Sequence, residues 1–223
     1  ILFQPADIDD LSSFLAALDP EVPVFPMGVG SNLIVRDGGI SGVVIRLGRG
    51  FNSIQIEDDQ IVAGAAALDA HVARKAADAG LDLTFLRTIP GTIGGAVRMN
   101  AGGSFGDIGS SIQSITVMDK QGQIFEKEKP ELVFDYRWVN VTALVILKAT
   151  IELTESDPDA MLKTVKEVWI YKKNSQPLNT KNAGCIFKNP RGMSAGALID
   201  RAGLKGTQLG GAVVSEKHAN FIT

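Results

Sequence analysis

Apolar and polar positions along the chain alternate between two periods. Ile8, Leu11, Phe14, Leu15 and Leu18 recur at helical spacing behind Asp7, whose side chain can cap a helix, and Pro20 and Pro23 stop the run. Residues 1–4 read as a strand end and residues 22–27 as a buried strand. Residues 33–35 and 43–47, around Asp37-Gly38-Gly39, predict one hairpin; residues 54–56 and 61–63, around Asp58-Asp59, predict another. An alanine-rich helix is predicted over 67–79, closed by Gly80 in a left-handed position, with His71 inside it as a structural residue. Residues 90–109 form a long glycine-rich stretch, whose plain reading is a loop. Further strands are predicted at 112–118 and 143–153.

Past residue 155 the pattern changes. Asp157-Pro158 supplies a cap and a first-turn proline, and Met161, Leu162, Val165, Val168 and Trp169 predict the buried stripe of a helix that ends before Pro177. Residues 174–182 form a polar connector. A strand at 185–187, a helix at 194–202 ended by Gly203 and two short strands follow. The fold class is α+β in two regions, 1–173 (itself divided at about 48) and 174–223.

Composition narrows the classes. The longest apolar runs, such as 143–147, are too short to span a bilayer, and no basic segment followed by an apolar one opens the chain. One cysteine, Cys185, excludes an internal disulfide and fits a reducing compartment, so the expected location is the cytoplasm. Two histidines and one cysteine, far apart, cannot build a His/Cys zinc site, and no metal is expected. The net charge of −3 is uneven: residues 160–223 hold ten Lys/Arg against Glu167, Asp200 and Glu216, a net of +7 that leaves −10 for residues 1–159. A basic region on an acidic chain suits either a solvated face or local recognition of an anion. Little aromatic interleaving accompanies it, which argues against nucleic acid.

Two glycine clusters carry the first chemical signal. Gly28-Val29-Gly30-Ser31-Asn32 follows a strand, and such a turn can aim N–H groups at a diphosphate or simply turn the chain. A Rossmann fingerprint fails because Leu33 occupies the third glycine position, and a Walker loop fails for want of Gly-Lys-Ser/Thr. The second cluster, Ile89-Pro90-Gly91-Thr92-Ile93-Gly94-Gly95-Ala96 running on to Asn100-Ala101-Gly102-Gly103, mixes small and apolar residues and lets backbone approach a large flat ligand.

These motifs, followed in order by Tyr136-Arg137, Asn-Ala-Gly-Cys-Ile-Phe-Lys-Asn-Pro at 182–190 and Leu-Ile-Asp-Arg-Ala-Gly-Leu-Lys-Gly at 198–206, resemble the UDP-N-acetylenolpyruvoylglucosamine reductase (MurB) family over nearly the whole chain, in its compact (type II-like) branch. The resemblance implies the FAD-binding fold of the vanillyl-alcohol-oxidase (PCMH) type followed by a smaller α+β substrate domain. It implies non-covalent FAD held by Gly28, Gly30, Ser31, Asn32, Gly91, Gly94, Gly95, Asn100 and Gly102. NADPH would reduce the flavin, which would then reduce UDP-N-acetylglucosamine enolpyruvate. Arg137 matches the family's arginine, a cation for the developing enolate, where without the motif it would read as a surface ion pair. Cys185 stands where many members place a serine proton donor, and otherwise would read as inert burial. Tyr136, Lys188, Asn189 and His218 are the implied substrate contacts, with Lys172 or Lys173 and Asn220 as further candidates. The family's N-terminal threonine- and glycine-containing segment precedes the residue aligned with Ile1, and its C-terminal glutamate would follow Thr223, so the chain reads as a truncated member. Two other readings fit parts of the sequence: an FAD-linked oxidase of a small alcohol or sugar, and a nucleotide-binding module without catalysis.

Overall fold

A computed structural model describes residues 1–103 and 105–223. The chain divides into two compact units, Ile1–Gly30 with Val35–Val165, and Ser31–Ile34 with Lys166–Thr223.

The first unit opens with β1 (Leu2–Phe3), α1 (Ile8–Ala17), β2 (Val24–Met27) and β3 (Val43–Arg46). Asp7 caps α1 by accepting the Asp10 N–H at 2.9 Å, and Asp9 and Asp10 add negative charge to the first turn. Leu11 and Leu15, one turn apart, are its buried residues. The hairpin expected across 33–47 does not form. β3 instead pairs in parallel with β1 and β2, in the order β1-β3-β2, with Leu2 opposite Val44 and Val24 opposite Val43. Parallel neighbours need a long connection, which residues 28–42 supply. Its return depends on Gly42, at φ +86°, where a Cβ would stand 2.0 Å from Pro23 O.

Next come β4 (Ile54–Glu57), β5 (Gln60–Gly64), α2 (Asp69–Asp78), α3 (Ile93–Arg98), the ribbon of β6 (Gly102–Gly103) and β7 (Gly106–Asp107), β8 (Ile112–Met118), β9 (Ile124–Glu128), the hairpin of β10 (Phe134–Asp135) and β11 (Trp138–Val139), and β12 (Val145–Glu152). The β4–β5 hairpin forms as the alternation predicts, and His71 is exposed on α2. A five-stranded antiparallel sheet in the order β4-β5-β12-β8-β9 is the centre of the unit. Its middle strand serves two cores. Val145 and Leu147 pack with Leu11, Leu15, Val43 and Ile45, whereas Ile146, Ala149 and Ile151 pack with Val72, Ala76, Ile93 and Val97. Strict alternation would send 145, 147, 149 and 151 to one face. The irregularity between Ile146 and Lys148 inserts a residue and moves the later ones to the other face.

The glycine-rich stretch is not all loop, because Ile93–Arg98 is helical. Ile93 N–H and Gly94 N–H donate to Ala67 O and Ala65 O, and a Cβ on Gly94 would stand 2.9 Å from the Ala65 Cβ. Glycine, poor for an isolated helix, is what permits this contact.

The long helix α4 (Pro158–Ser175) starts as expected, with Asp157 accepting the Ala160 N–H. Met161 and Val168 are buried, but Leu162 and Trp169 are exposed. They lie one residue, about 100°, off the 161/165/168 stripe, a rotation the sequence pattern alone did not separate. The second unit adds α5 (Ala195–Arg201), capped by Ser194, and the hairpin of β13 (Gln208–Leu209) and β14 (Ala212–Val213). No strand forms at 185–187. A single bridge joins Cys185 to Phe221 there. No helix among the described residues is long and apolar enough to cross a membrane.

Candidate functional site

A cavity of about 320 Å³ opens in the first unit where the ends of β2, β3 and β5 meet the start of α3. Gly28 and Val29 line one side, Gly48, Ala65 and Ala66 another, and Thr92, Gly94 and Gly95 a third. The fit is close, since a Cβ on Gly28 would stand 2.7 Å from Thr92 Oγ1. Three guanidiniums, Arg46, Arg49 and Arg98, also line it. Arg98 is committed to structure, donating to Val141 O and to Ala143 O at 2.7 Å, and burial pushes its pKa down from the usual arginine value. Arg46 and Arg49 make no ion pair among the described residues. Small uncharged walls admit a flat ring system, and two cations supply counter-charge for phosphates, so these residues fit a flavin dinucleotide.

Of the cofactor residues read from sequence, Gly28, Gly94 and Gly95 line this cavity. Gly91 stands just behind it, its carbonyl accepting the Asp69 N–H. Gly30 is exposed at φ +75°, and Ser31 and Asn32 belong to the second unit. Arg46, Arg49 and Thr92 were not singled out. Their signal was the Arg-Leu-Gly-Arg run at 46–49, directly after an apolar strand.

Asn100 and Gly102 gather around Arg137 instead. Tyr136 and Arg137 form the two-residue loop of the β10–β11 hairpin, and Arg137 has φ +56°, a left-handed conformation unusual for a residue with a Cβ. Its guanidinium donates to Asn100 O at 3.2 Å and Gly102 O at 2.9 Å and lies 5.2 Å from the half-exposed Tyr136 ring. Asn100, itself at φ +40°, donates from Nδ2 to Asp135 O and accepts the Gly109 N–H at Oδ1. Two left-handed residues thus lock the hairpin to the glycine-rich wall. Strain of this kind persists where the surroundings over-determine it, often at functional sites.

In the second unit Cys185 and Lys188 are exposed, and Asn189 Oδ1 accepts the Ala195 N–H. His218 Nδ1 accepts the Asn220 N–H at 3.2 Å, so the ring's proton is assigned to Nε2. Burial chiefly, with the positive charge of Lys205, holds its pKa below the usual histidine value. His218 therefore offers a neutral N–H donor near pH 7. Lys173 lies over the Trp169 ring, and burial lowers the pKa of Lys172. Asn220 is buried, which corrects its reading as a substrate contact.

Asp69, at the start of α2, is buried, and neither carboxyl oxygen has a hydrogen-bond partner among the described residues. Desolvation raises its pKa from 3.8 to about 7. As pH rises past 3.8, the unfolded chain ionises while the folded one stays protonated. Stability therefore falls with pH from about 4 to about 7 and levels off above. Asp69→Asn is expected to remove this slope. Its stability relative to the parent should improve by on the order of 3 kcal/mol between pH 4 and pH 8, measured by urea unfolding.

Comparison with known proteins agrees with this geometry. The FAD binding domain family matches residues 1–127, and the C-terminal domain of UDP-N-acetylenolpyruvoylglucosamine reductase matches residues 176–223. The chain is 53% identical to the UDP-N-acetylenolpyruvoylglucosamine reductase of Paracoccus denitrificans, over 99% of this chain and 76% of that protein. It is 52% identical to that of Cereibacter sphaeroides, with the same coverage. The crystal structure of the reductase (MurB) from Thermus caldophilus superposes with a TM-score of 0.89 at 36% identity, covering all of this chain and 80% of that one. A flavin-fitting cavity, a strained arginine hairpin and similarity along the whole of this chain converge on one assignment: the chain belongs to the UDP-N-acetylenolpyruvoylglucosamine reductase family.

Proposed function

We propose that the protein reduces UDP-N-acetylglucosamine enolpyruvate to UDP-N-acetylmuramate, a step of peptidoglycan precursor synthesis, with FAD as resident carrier and NADPH as hydride donor. The observation that carries this reading is the small-walled, arginine-lined cavity at Gly28, Thr92 and Gly94, within a chain similar end to end to these reductases. We assign the flavin to residues 1–173, in subdomains of about 1–48 and 49–173, and the substrate to residues 174–223. The reaction belongs in the cytoplasm, upstream of cell-wall growth, cell shape and division.

When bound, FAD supplies the two-electron link between NADPH and the enolpyruvyl double bond. The chain's residues supply the rest. A hydride equivalent added at the methylene carbon leaves negative charge on the neighbouring carbon and its carboxylate. The Arg137 guanidinium, held in place by Asn100 O and Gly102 O, stabilises that charge. The Cys185 thiol gives its proton to the same carbon, completing addition across the double bond, and the thiolate regains a proton from water. Lys188, Asn189 and the neutral His218 N–H are assigned to the nucleotide diphosphate, with Tyr136 beside Arg137.

Purified protein is expected to be yellow, to release all its flavin on acid precipitation, and to turn over NADPH beyond one equivalent per flavin only when the enolpyruvyl nucleotide is present. Flavin retained on the precipitate would favour a covalent oxidase. Absence of flavin would favour a binding module. Lys188→Ala is expected to raise KM for the nucleotide by roughly ten-fold or more, since a charge-assisted contact contributes about 1.5–3 kcal/mol, while flavin content stays constant. Steady-state kinetics with absorbance at the flavin bands tests both halves of that statement.

A further inference from the structure

We propose that Asn220 is a positioning residue for the second unit's candidate chemistry, an inference that rests on the roles assigned above to Cys185 and Lys188. Asn220 is 2% exposed, and its side-chain amide holds both backbone polar groups of one residue, Phe187. Oδ1 accepts the Phe187 N–H at 2.9 Å, and Nδ2 donates to Phe187 O at 2.8 Å. Its own carbonyl accepts the Ile186 N–H at 2.9 Å. Residues 186 and 187 lie directly between Cys185 and Lys188. A strand could have held that segment, but only the single Cys185–Phe221 bridge forms. The amide of Asn220 stands in for the missing strand pairing, since an amide offers the same donor and acceptor as a peptide group. On its other side the Asn220 N–H donates to His218 Nδ1, which fixes the tautomer presenting Nε2–H. The His218 ring rests edge-on against Phe221, and its Cε1 would come within 3.2 Å of a Cβ on Gly196. One buried side chain and its backbone thus set the direction of three groups that are themselves exposed or half-exposed.

Positioning of this kind has a kinetic signature. Misplacing a reacting group by about 1 Å costs on the order of 10²-fold in rate without changing which group reacts. Asn220→Ser removes the amide with little change in polarity. Asn220→Asp keeps the acceptor for Phe187 N–H but sets an oxygen against Phe187 O. In flavin-loaded protein, both variants are expected to bind FAD normally and to undergo NADPH-driven flavin reduction at the parental rate. Both should be reoxidised by the enolpyruvyl nucleotide at least roughly ten-fold more slowly. The decisive measurement is the cycle with Cys185→Ala, by stopped-flow absorbance. If Asn220 acts through Cys185, Asn220→Ser slows the parent but adds little in the alanine background. Multiplying losses, or Asn220→Ser reoxidising at the parental rate, overturns the proposal. A Cys185→Ala variant that reoxidises normally overturns the assignment of Cys185 instead. Should the aspartate variant fail to fold, the serine variant alone decides, with its thermal unfolding as the control.

Discussion

Cys185→Ala is expected to leave NADPH-driven bleaching of the flavin nearly unchanged and to slow reoxidation by the enolpyruvyl nucleotide by about 10²–10⁴-fold, the range for losing a positioned general acid. The two half-reactions differ because only the second needs a proton on carbon. The structure removes the competing account of this residue, that it is an inert buried thiol, because Cys185 is exposed. Cys185→Ser should keep substantial turnover, since a hydroxyl occupies the same place and can donate the same proton. Stopped-flow absorbance, each half-reaction followed separately, is the test. An alanine variant that reoxidises at the parental rate moves the proton to another group.

The second large effect belongs to Arg137. Arg137→Ala is expected to lower kcat by about 10²–10³-fold, the usual loss when a group that stabilises developing charge is removed. Arg137→Lys should recover only part of it. An ammonium keeps the charge but cannot span Asn100 O and Gly102 O as the planar guanidinium does. A comparison within the series separates chemistry from backbone strain. Position 137 sits at φ +56°, so Arg137→Gly should be more stable than Arg137→Ala by about 1 kcal/mol, while the two lose activity equally. Urea unfolding and steady-state rates on the same preparations check both statements. If the glycine variant were as active as the parent, the arginine would serve the hairpin and not the reaction.

These expectations depend on positions that were readable to different degrees. Arg137 and Cys185 were legible as candidates because each lies in a short ordered motif, and Gly28, Gly94 and Gly95 as cavity residues because small residues recur where backbone must come close. Asn100 was legible as important but not in its task, because a sequence does not show that its amide is engaged by Asp135 O and Gly109 N–H. Arg46 and Arg49 were not legible as site residues. Nothing local distinguishes a cation beside a cavity from one on an open surface. Asn220 was read as a substrate contact, and burial reversed that reading.

By itself the sequence determined the elements whose causes are local. The cap at Asp7 and the stripe of Leu11 and Leu15 define α1, the turn at Asp58-Asp59 closes β4 on β5, and Asp157-Pro158 starts α4. Each is a signal within a few residues, where propensity, capping and turn geometry act. Tertiary structure decided what depends on distant partners. Val43 could pair with a hairpin neighbour or with Val24 in parallel, and contact with Pro23 across Gly42 selected the latter. Ile93–Arg98 became helical because Ala65 and Ala67 accept its first N–H groups. The irregularity in β12 sent Leu147 and Ala149 to opposite cores. In each case the local preferences were nearly balanced. Burial of apolar surface and pairing of backbone groups brought together from far along the chain supplied the difference.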